Sequence, residues 1–251
     1  MIRHPRRISF LWLLVLLVPG YLAADSDPQA VAVAEHVLKA MGGRDGWQQT
    51  RYLSFEFAGR RSHLWDRHTG AHRVEGTTAD GDDYLVLHNL NEQGQGNGQV
   101  WVNGAAVDSA DTRSELLNNA YAAWVNDTYW LLMPYKLLDP GVHMEHQGTT
   151  TVDGQECTKL ALSFGEVGLT PGDRYWVYVD EASHLVTRWE YVLQDQEPNS
   201  APTAWSWENW QRHGKVLLSD KRKKVGGDGY ILSLAPLRVL ESVDPQLFRV
   251  P

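Results

Sequence analysis

Arg174-Tyr175-Trp176-Val177-Tyr178-Val179-Asp180-Glu181-Ala182-Ser183-His184-Leu185-Val186-Thr187-Arg188-Trp189-Glu190-Tyr191 reads as two strands and the turn between them. Tyr175, Val177 and Val179 alternate with Trp176 and Tyr178, the period that sends successive side chains to opposite faces of a strand. Asp180 to Ser183 supplies turn residues, after which Leu185, Thr187, Trp189 and Tyr191 fall on one face of the next strand. Both faces carry bulky groups, so a thin sheet with one wet side is excluded.

The same pattern extends both ways. Leu53, Phe55 and Phe57 share a face, and Tyr84 to Leu90 is apolar on both faces, like a central strand. Val100 and Val102 run into Asn103-Gly104, the strongest short hairpin signal, and Asp153-Gly154 does the same before Thr158, Leu160, Leu162 and Phe164. Further strands are expected from Thr203 to Gln211 and from Lys215 to Lys223 around His213-Gly214, with one or two more after Gly226-Gly227-Asp228-Gly229. About ten strands in one antiparallel meander cannot stay flat, because strand twist makes a large sheet curl.

Two segments read as helices. Asp27-Pro28 is a cap followed by proline at the first helical position, and Val31, Ala34, Val37, Leu38 and Met41 recur at helical spacing up to Gly42-Gly43. The second begins near Asp111 with Leu116, Leu117, Ala120, Tyr121 and Trp124 on one side. Asn126-Asp127 is expected to interrupt it, Asp127 capping a further turn through Tyr129 to Met133 that Pro134 stops. The fold class is mainly β (α+β): a strongly curved antiparallel sheet or incomplete β-barrel covered by two or three helices.

Arg3, Arg6 and Arg7, then the apolar run Ile8 to Val18, Pro19-Gly20 and Ala23-Ala24, form the pattern of a cleaved export signal over residues 1–24. Eleven apolar residues are too few for a bilayer span, which takes about 20. Residues 25–251 are expected to fold as one domain. Losing three of 23 basic residues against 31 acidic ones takes the formal charge from −8 to −11. That balance argues against nucleic acid as a partner. Lys221-Arg222-Lys223-Lys224, the one basic block, reads as a solvated strand end. Cys157 is the only cysteine, so no internal disulfide exists, and its strand context makes it a small packing residue.

Particular blocks carry a resemblance. Trp65-Asp66-Arg67 with Gly70, Asn126 to Val142, Val167 to Asp180 and the Trp205 to Trp210 cluster together resemble a family of uncharacterised secreted bacterial proteins. That family is similar, more loosely, to the lipoprotein-carrier superfamily of LolA and LolB type. The resemblance implies an incomplete β-barrel closed by helices, with an apolar cavity that receives acyl chains, in a periplasmic protein.

Chemistry is sparse by comparison. The nearest approach to a Gly-x-Ser-x-Gly elbow, Ala161 to Gly165, lacks the first glycine and the following helix. Gly94, Gly96 and Gly98 precede a strand, so they offer an anion no helix N-terminus. His143-Met144-Glu145-His146 is the best metal candidate, but on a strand its side chains diverge; His63, His68 and His72 merely flank a hairpin. Asp66 beside Arg67 and Asp173 beside Arg174 read as strand-edge ion pairs. No catalytic group, metal or cofactor is expected. The favoured function is a non-catalytic periplasmic carrier for a lipid or acylated protein, expected as a monomer with transient contact to membrane or lipoproteins. Its expected lining is Trp124, Tyr129, Trp130 and Met133 from the covering segment, with Phe55 and Trp101 from the sheet. An enzyme whose polar residues assemble only in the fold, and an interaction module with a filled core, stay open.

Overall fold

The computed structural model describes residues 26–92, 97–165, 167–197 and 199–249, so the expected export signal lies outside the described residues. Helix α1 (Pro28–Ala40) starts where Asp27 accepts from the Gln29 amide at 2.9 Å, as an N-cap should. Asp27 and Ser26 also bind the backbone of Met144 and His146, which ties the start of α1 to the sheet. At Gly42 the chain turns with φ +113, and a Cβ there would stand 2.2 Å from the Lys215 carbonyl; only glycine fits. Helix α2 (Gly43–Gln49) follows.

Among the described residues fifteen antiparallel strands build three sheets rather than the single sheet expected. The first contains β1 (Tyr52–Phe57), β2 (Arg61–Asp66), β3 (Ala71–Thr77), β4 (Asp83–Asn89), β5 (Gly98–Val102) and β6 (Ala105–Ala106), with the late strand β15 (Arg238–Leu240) beside β1. The second runs β7 (Val142–Val152), β8 (Gln155–Phe164), β9 (Arg174–Asp180), β10 (Val186–Val192) and β11 (Thr203–Ser206) in order. The third is β12 (Glu208–His213), β13 (Val216–Lys223) and β14 (Ile231–Ser233).

The expected strand over Thr203 to Gln211 is two strands, broken at Trp207, whose amide binds the Thr187 carbonyl at 2.7 Å. This corner lets β11 stay with the second sheet while β12 starts the third. Two seams then join the sheets. The Ala58 amide reaches the Ser233 carbonyl beyond the end of β1, and Trp205 and Lys224 form a bridge between β11 and the end of β13. Among the described residues the wall is therefore curved and incomplete, with β6 and β7 at its two ends and no closed barrel.

Helix α3 (Ala110–Leu132) runs unbroken for 23 residues, capped by Ser109, and passes into a 3-10 turn at Met133–Lys136. Asn126-Asp127 does not interrupt it. Asp127 is buried inside the helix, and the Thr128 hydroxyl donates to the Trp124 carbonyl within it. The first half of α3 packs Leu117 and Ala120 onto Val74, Val86 and Val100 of the first sheet. Here Gly98 permits the approach, since a Cβ would meet Leu117 at 2.3 Å. The second half and the turn after it send Leu131, Leu132 and Met133 into the main core with α1 and strands of all three sheets.

The basic block is not wholly a solvated end. Lys223 and Lys224 are exposed, but Arg222 is fully buried, on the same strand face as Val216 and Leu218. Its guanidinium lies 3.4 Å from the Trp207 ring centroid and donates to the Trp130 carbonyl at 2.7 Å, fastening β13 to α3. Cys157 is fully buried, and burial pushes its thiol up.

Candidate functional site

Two polar and aromatic assemblies lie beneath α3. The first grows from strand register. Residues Leu53, Trp65, His72, His88 and Gly98 form one row across β1 to β5, and Phe55, His63, Val74, Val86 and Val100 form the adjacent row. Both rows face α3, so His63, His72 and His88 step diagonally under the helix. His63 Nε2 is 2.9 Å from Asp127 Oδ2, His63 Nδ1 is 3.0 Å from His72 Nε2, and His72 Nδ1 is 2.7 Å from His88 Nε2. Arg61 clamps the same carboxylate, donating Nε–H to Oδ2 at 2.7 Å and Nη2–H to Oδ1 at 2.9 Å.

The tautomers follow. An ionised carboxylate only accepts, so each neutral imidazole donates its Nε2–H toward Asp127, and His63 and His72 accept at Nδ1. All three ring protons point one way. Burial alone would raise the Asp127 carboxyl, but the donors from His63 and Arg61 hold it below the usual range. Burial lowers His63 despite Asp127, lowers His72 well below the ordinary value with help from both neighbours, and takes His88 down to about 4.

A depressed histidine stabilises the fold fully above its unfolded value near 6.5, and that contribution is lost as pH falls toward the folded value. Stability should therefore fall from about pH 6.5 to about pH 4, with Asp127 adding to the loss only at lower pH. The midpoint of thermal unfolding, followed between pH 7 and pH 4.5, should drop, and His72→Gln should flatten the curve. An identical slope in the variant would contradict the neutral chain.

The sequence named His63 and His72 only as flanking a hairpin, and missed His88, Arg61 and the role of Asp127. His68 stays outside the chain and contacts the Gln48 carbonyl. His143 and His146, three apart on β7, sit on opposite faces of the strand. Among the described residues no group of three or more His, Cys, Asp or Glu side chains is arranged to hold a metal. Among the described residues, Asp66 and Asp173 take partners other than the neighbouring arginines expected for them. Asp66 pairs with Arg51 at 2.9 Å, while Arg67 stacks on Trp47. Asp173 accepts from the Thr170 hydroxyl at 2.7 Å, the Tyr175 hydroxyl at 3.3 Å and the Gln194 amide at 2.9 Å.

The second assembly is an aromatic pocket of about 390 Å³ between the C-terminal part of α3, strands β8 to β10 and the 167–173 loop. Tyr129, Trp130, Phe164, Tyr175, Trp189 and Tyr191 line it, Asp173 lies in its wall, and Leu169 and Leu193 are exposed at its rim. The rings brace one another edge to face. Trp130 meets Trp189 at 4.8 Å and 78°, Trp205 at 5.1 Å and 87°, and Tyr191 at 6.2 Å and 88°. Tyr129 meets Tyr175 at 5.5 Å and Phe164 at 6.3 Å. Two other hollows are more polar: a groove of about 670 Å³ bounded by Asp27, His143, Glu145 and Arg174, and one of about 430 Å³ by Arg60, Glu75 and Trp101. The histidine chain lines none of the three.

Of the expected lining residues, Tyr129 and Trp130 come together in the aromatic pocket. Trp124 lies a turn away against Trp65, ring centroids 5.2 Å apart. Met133 and Phe55 are closed within the main core, and Trp101 borders the polar hollow on the far face of the first sheet. Phe164, Tyr175, Trp189 and Tyr191 were not singled out as lining, although three of them alternate in the opening two strands.

No protein-family model matches the chain, and no curated protein matches it significantly. Several solved structures do. A DUF1329 family protein from Desulfovibrio piger shares 15% identity, with 89% of this chain and 98% of that one covered at a TM-score of 0.46. A putative outer membrane lipoprotein-sorting protein domain from Vibrio parahaemolyticus shares 8%, covering 86% and 97%, at 0.41. A LolA superfamily protein from Nitrosomonas europaea shares 8%, covering 87% and 96%, at 0.39. The last bears the superfamily name that the sequence resembles. With TM-scores all under 0.5, none of them bears on the ligand or activity of this chain.

Proposed function

We propose that the protein is an exported, non-catalytic binding protein that holds one apolar chain in the aromatic pocket under α3. The observation that carries this reading is the pocket itself: six aromatic side chains converge on one concave space, open at a rim of exposed leucines. Its size sets the cargo. A water takes about 30 Å³ of liquid, so 390 Å³ is about thirteen such volumes, room for one chain of roughly a dozen carbons. At about 0.8 kcal/mol per buried CH₂, such a chain reaches micromolar affinity once ordering costs are met. Export to the periplasm is supported by the arginine-led signal of residues 1–24, and one domain by the core that α1 and α3 share with all three sheets.

Titration with a fluorescent fatty-acyl probe tests it. Saturable binding of one probe per chain, displaced by unlabelled fatty acid, is expected. Linear, non-displaceable uptake would favour instead an interaction module whose aromatic cluster is a filled core.

A further inference from the structure

The pocket that would hold the chain is not only apolar. Its wall contains a carboxylate, Asp173, whose residue is 97% withdrawn from solvent, its relative exposure being 3%. Its oxygens accept from one hydroxyl of the loop, one of the cage and one backbone amide; no cationic side chain forms a salt bridge with it among the described residues. None of the fourteen described residues lining the pocket is Lys, Arg or His. The nearby buried cation, Arg222, is turned away onto Trp207 and the Trp130 and Ser219 carbonyls.

A buried negative charge at the edge of several aromatic faces is the chemistry that recognises an ammonium group carrying alkyl substituents. Ring faces are electron-rich and attract a cation within about 6 Å of the centroid, the more so when water is excluded. Alkyl groups on nitrogen lower its hydration, so an aromatic cage can take it up where a hydrated lysine would stay outside. The carboxylate supplies the compensating charge without itself leaving its hydrogen bonds.

Resting on the reading of this pocket as a ligand site, we propose that its ligand carries an alkylammonium group, bound against the Tyr129, Tyr175 and Tyr191 rings with the Asp173 carboxylate as counter-charge. The apolar stem of the ligand then lies along Trp130 and Trp189 toward the leucine rim. Length and charge are thus read by different parts of one pocket.

The test uses four probes of equal stem below their micelle concentrations: decyltrimethylammonium, decylammonium, decanol and decanoate, each titrated calorimetrically into the intact protein. Decyltrimethylammonium should bind about tenfold or more tighter than decanol and decanoate. Decylammonium should fall between, which separates a cage for a quaternary group from simple charge pairing. Asp173→Asn, whose carbonyl can still accept from the Gln194 amide while the Thr170 hydroxyl turns to accept from the new NH2, should bring decyltrimethylammonium close to decanol. Equal affinities in the wild type, or tighter decanoate, would overturn the cationic ligand while leaving the apolar pocket standing. A preference that survives Asp173→Asn would overturn the role given to that carboxylate. If no probe saturates, both this inference and the binding function fail. The wild-type series decides even where the variant does not fold.

Discussion

Asp127→Ala should cost about 3–5 kcal/mol of folding stability, read as a fall of roughly 6–20 °C in the unfolding midpoint. The carboxylate is fully buried and receives four donors, two from Arg61, one from His63 and one from Asn126. Removing it leaves a half-buried guanidinium and a buried imidazole facing an apolar helix. That is the costly way to break a buried pair, because the remaining charge keeps its desolvation penalty. Asp127→Asn retains one acceptor and should recover part of the loss. A fall of less than about 1 kcal/mol in the alanine variant would mean that the clamp contributes little more than a surface ion pair.

Trp130→Ala should act on two properties at once. The ring lines the pocket and is also wedged edge-on among Trp189, Tyr191 and Trp205, so binding and packing are both lost. Affinity for an acyl probe should weaken by about 1–3 kcal/mol, the scale of one large apolar contact. Stability should fall by about 3–5 kcal/mol through the cavity left behind. Leu131→Ala separates the two. Leu131 is the next residue on α3, buried in the main core and not part of the pocket lining. It should cost about 2–5 kcal/mol of stability with no change in affinity per folded molecule. Equal losses of affinity in both variants would show that the pocket responds only to general loosening.

Local signals account for what the sequence made legible. Asn103-Gly104 and Asp153-Gly154 do place turns, with φ of +49 and +77 at the first pair and +50 and +85 at the second. Alternation marks β1, β4, β5, β8, β9, β10 and β13, whereas β2 and β3, whose inward faces carry His63 and His72, and the two-residue β6 do not stand out by it. What stayed hidden depends on contacts between distant segments. The 203–211 stretch keeps its alternation through Trp207, so nothing local marks the corner at which it changes sheets.

Asn126-Asp127 reads locally as a break because Asn-Asp pairs favour caps, yet Asp127 lies on the helical stripe of Leu117, Ala120, Trp124 and Leu131. A charged residue on an apolar stripe is equally the mark of a buried, paired carboxylate. Its partner, Arg61, is 66 positions away and not visible from spacing. Arg222 carried a similar signal, sharing strand phase with Val216 and Leu218. The histidines were within reach: His63 and His72 fall on the inward phase of adjoining strands, and pairing those strands would have brought them under the helix. For the aromatic pocket, Tyr175, Trp189 and Tyr191 stood in the most regular strands of the chain. Their alternation marks a sheet and not one wall of a cavity, because the 167–173 loop that completes the cavity has no periodicity.

The most direct test of the pocket is native mass spectrometry of the exported protein purified without detergent, compared with its Trp130→Ala variant. The expected result is a wild-type species heavier by one lipid-sized ligand, which is shed on denaturation and depleted in the variant. A wild-type protein that carries no added mass, and acquires none when incubated with fatty acids or decyltrimethylammonium, would contradict the account.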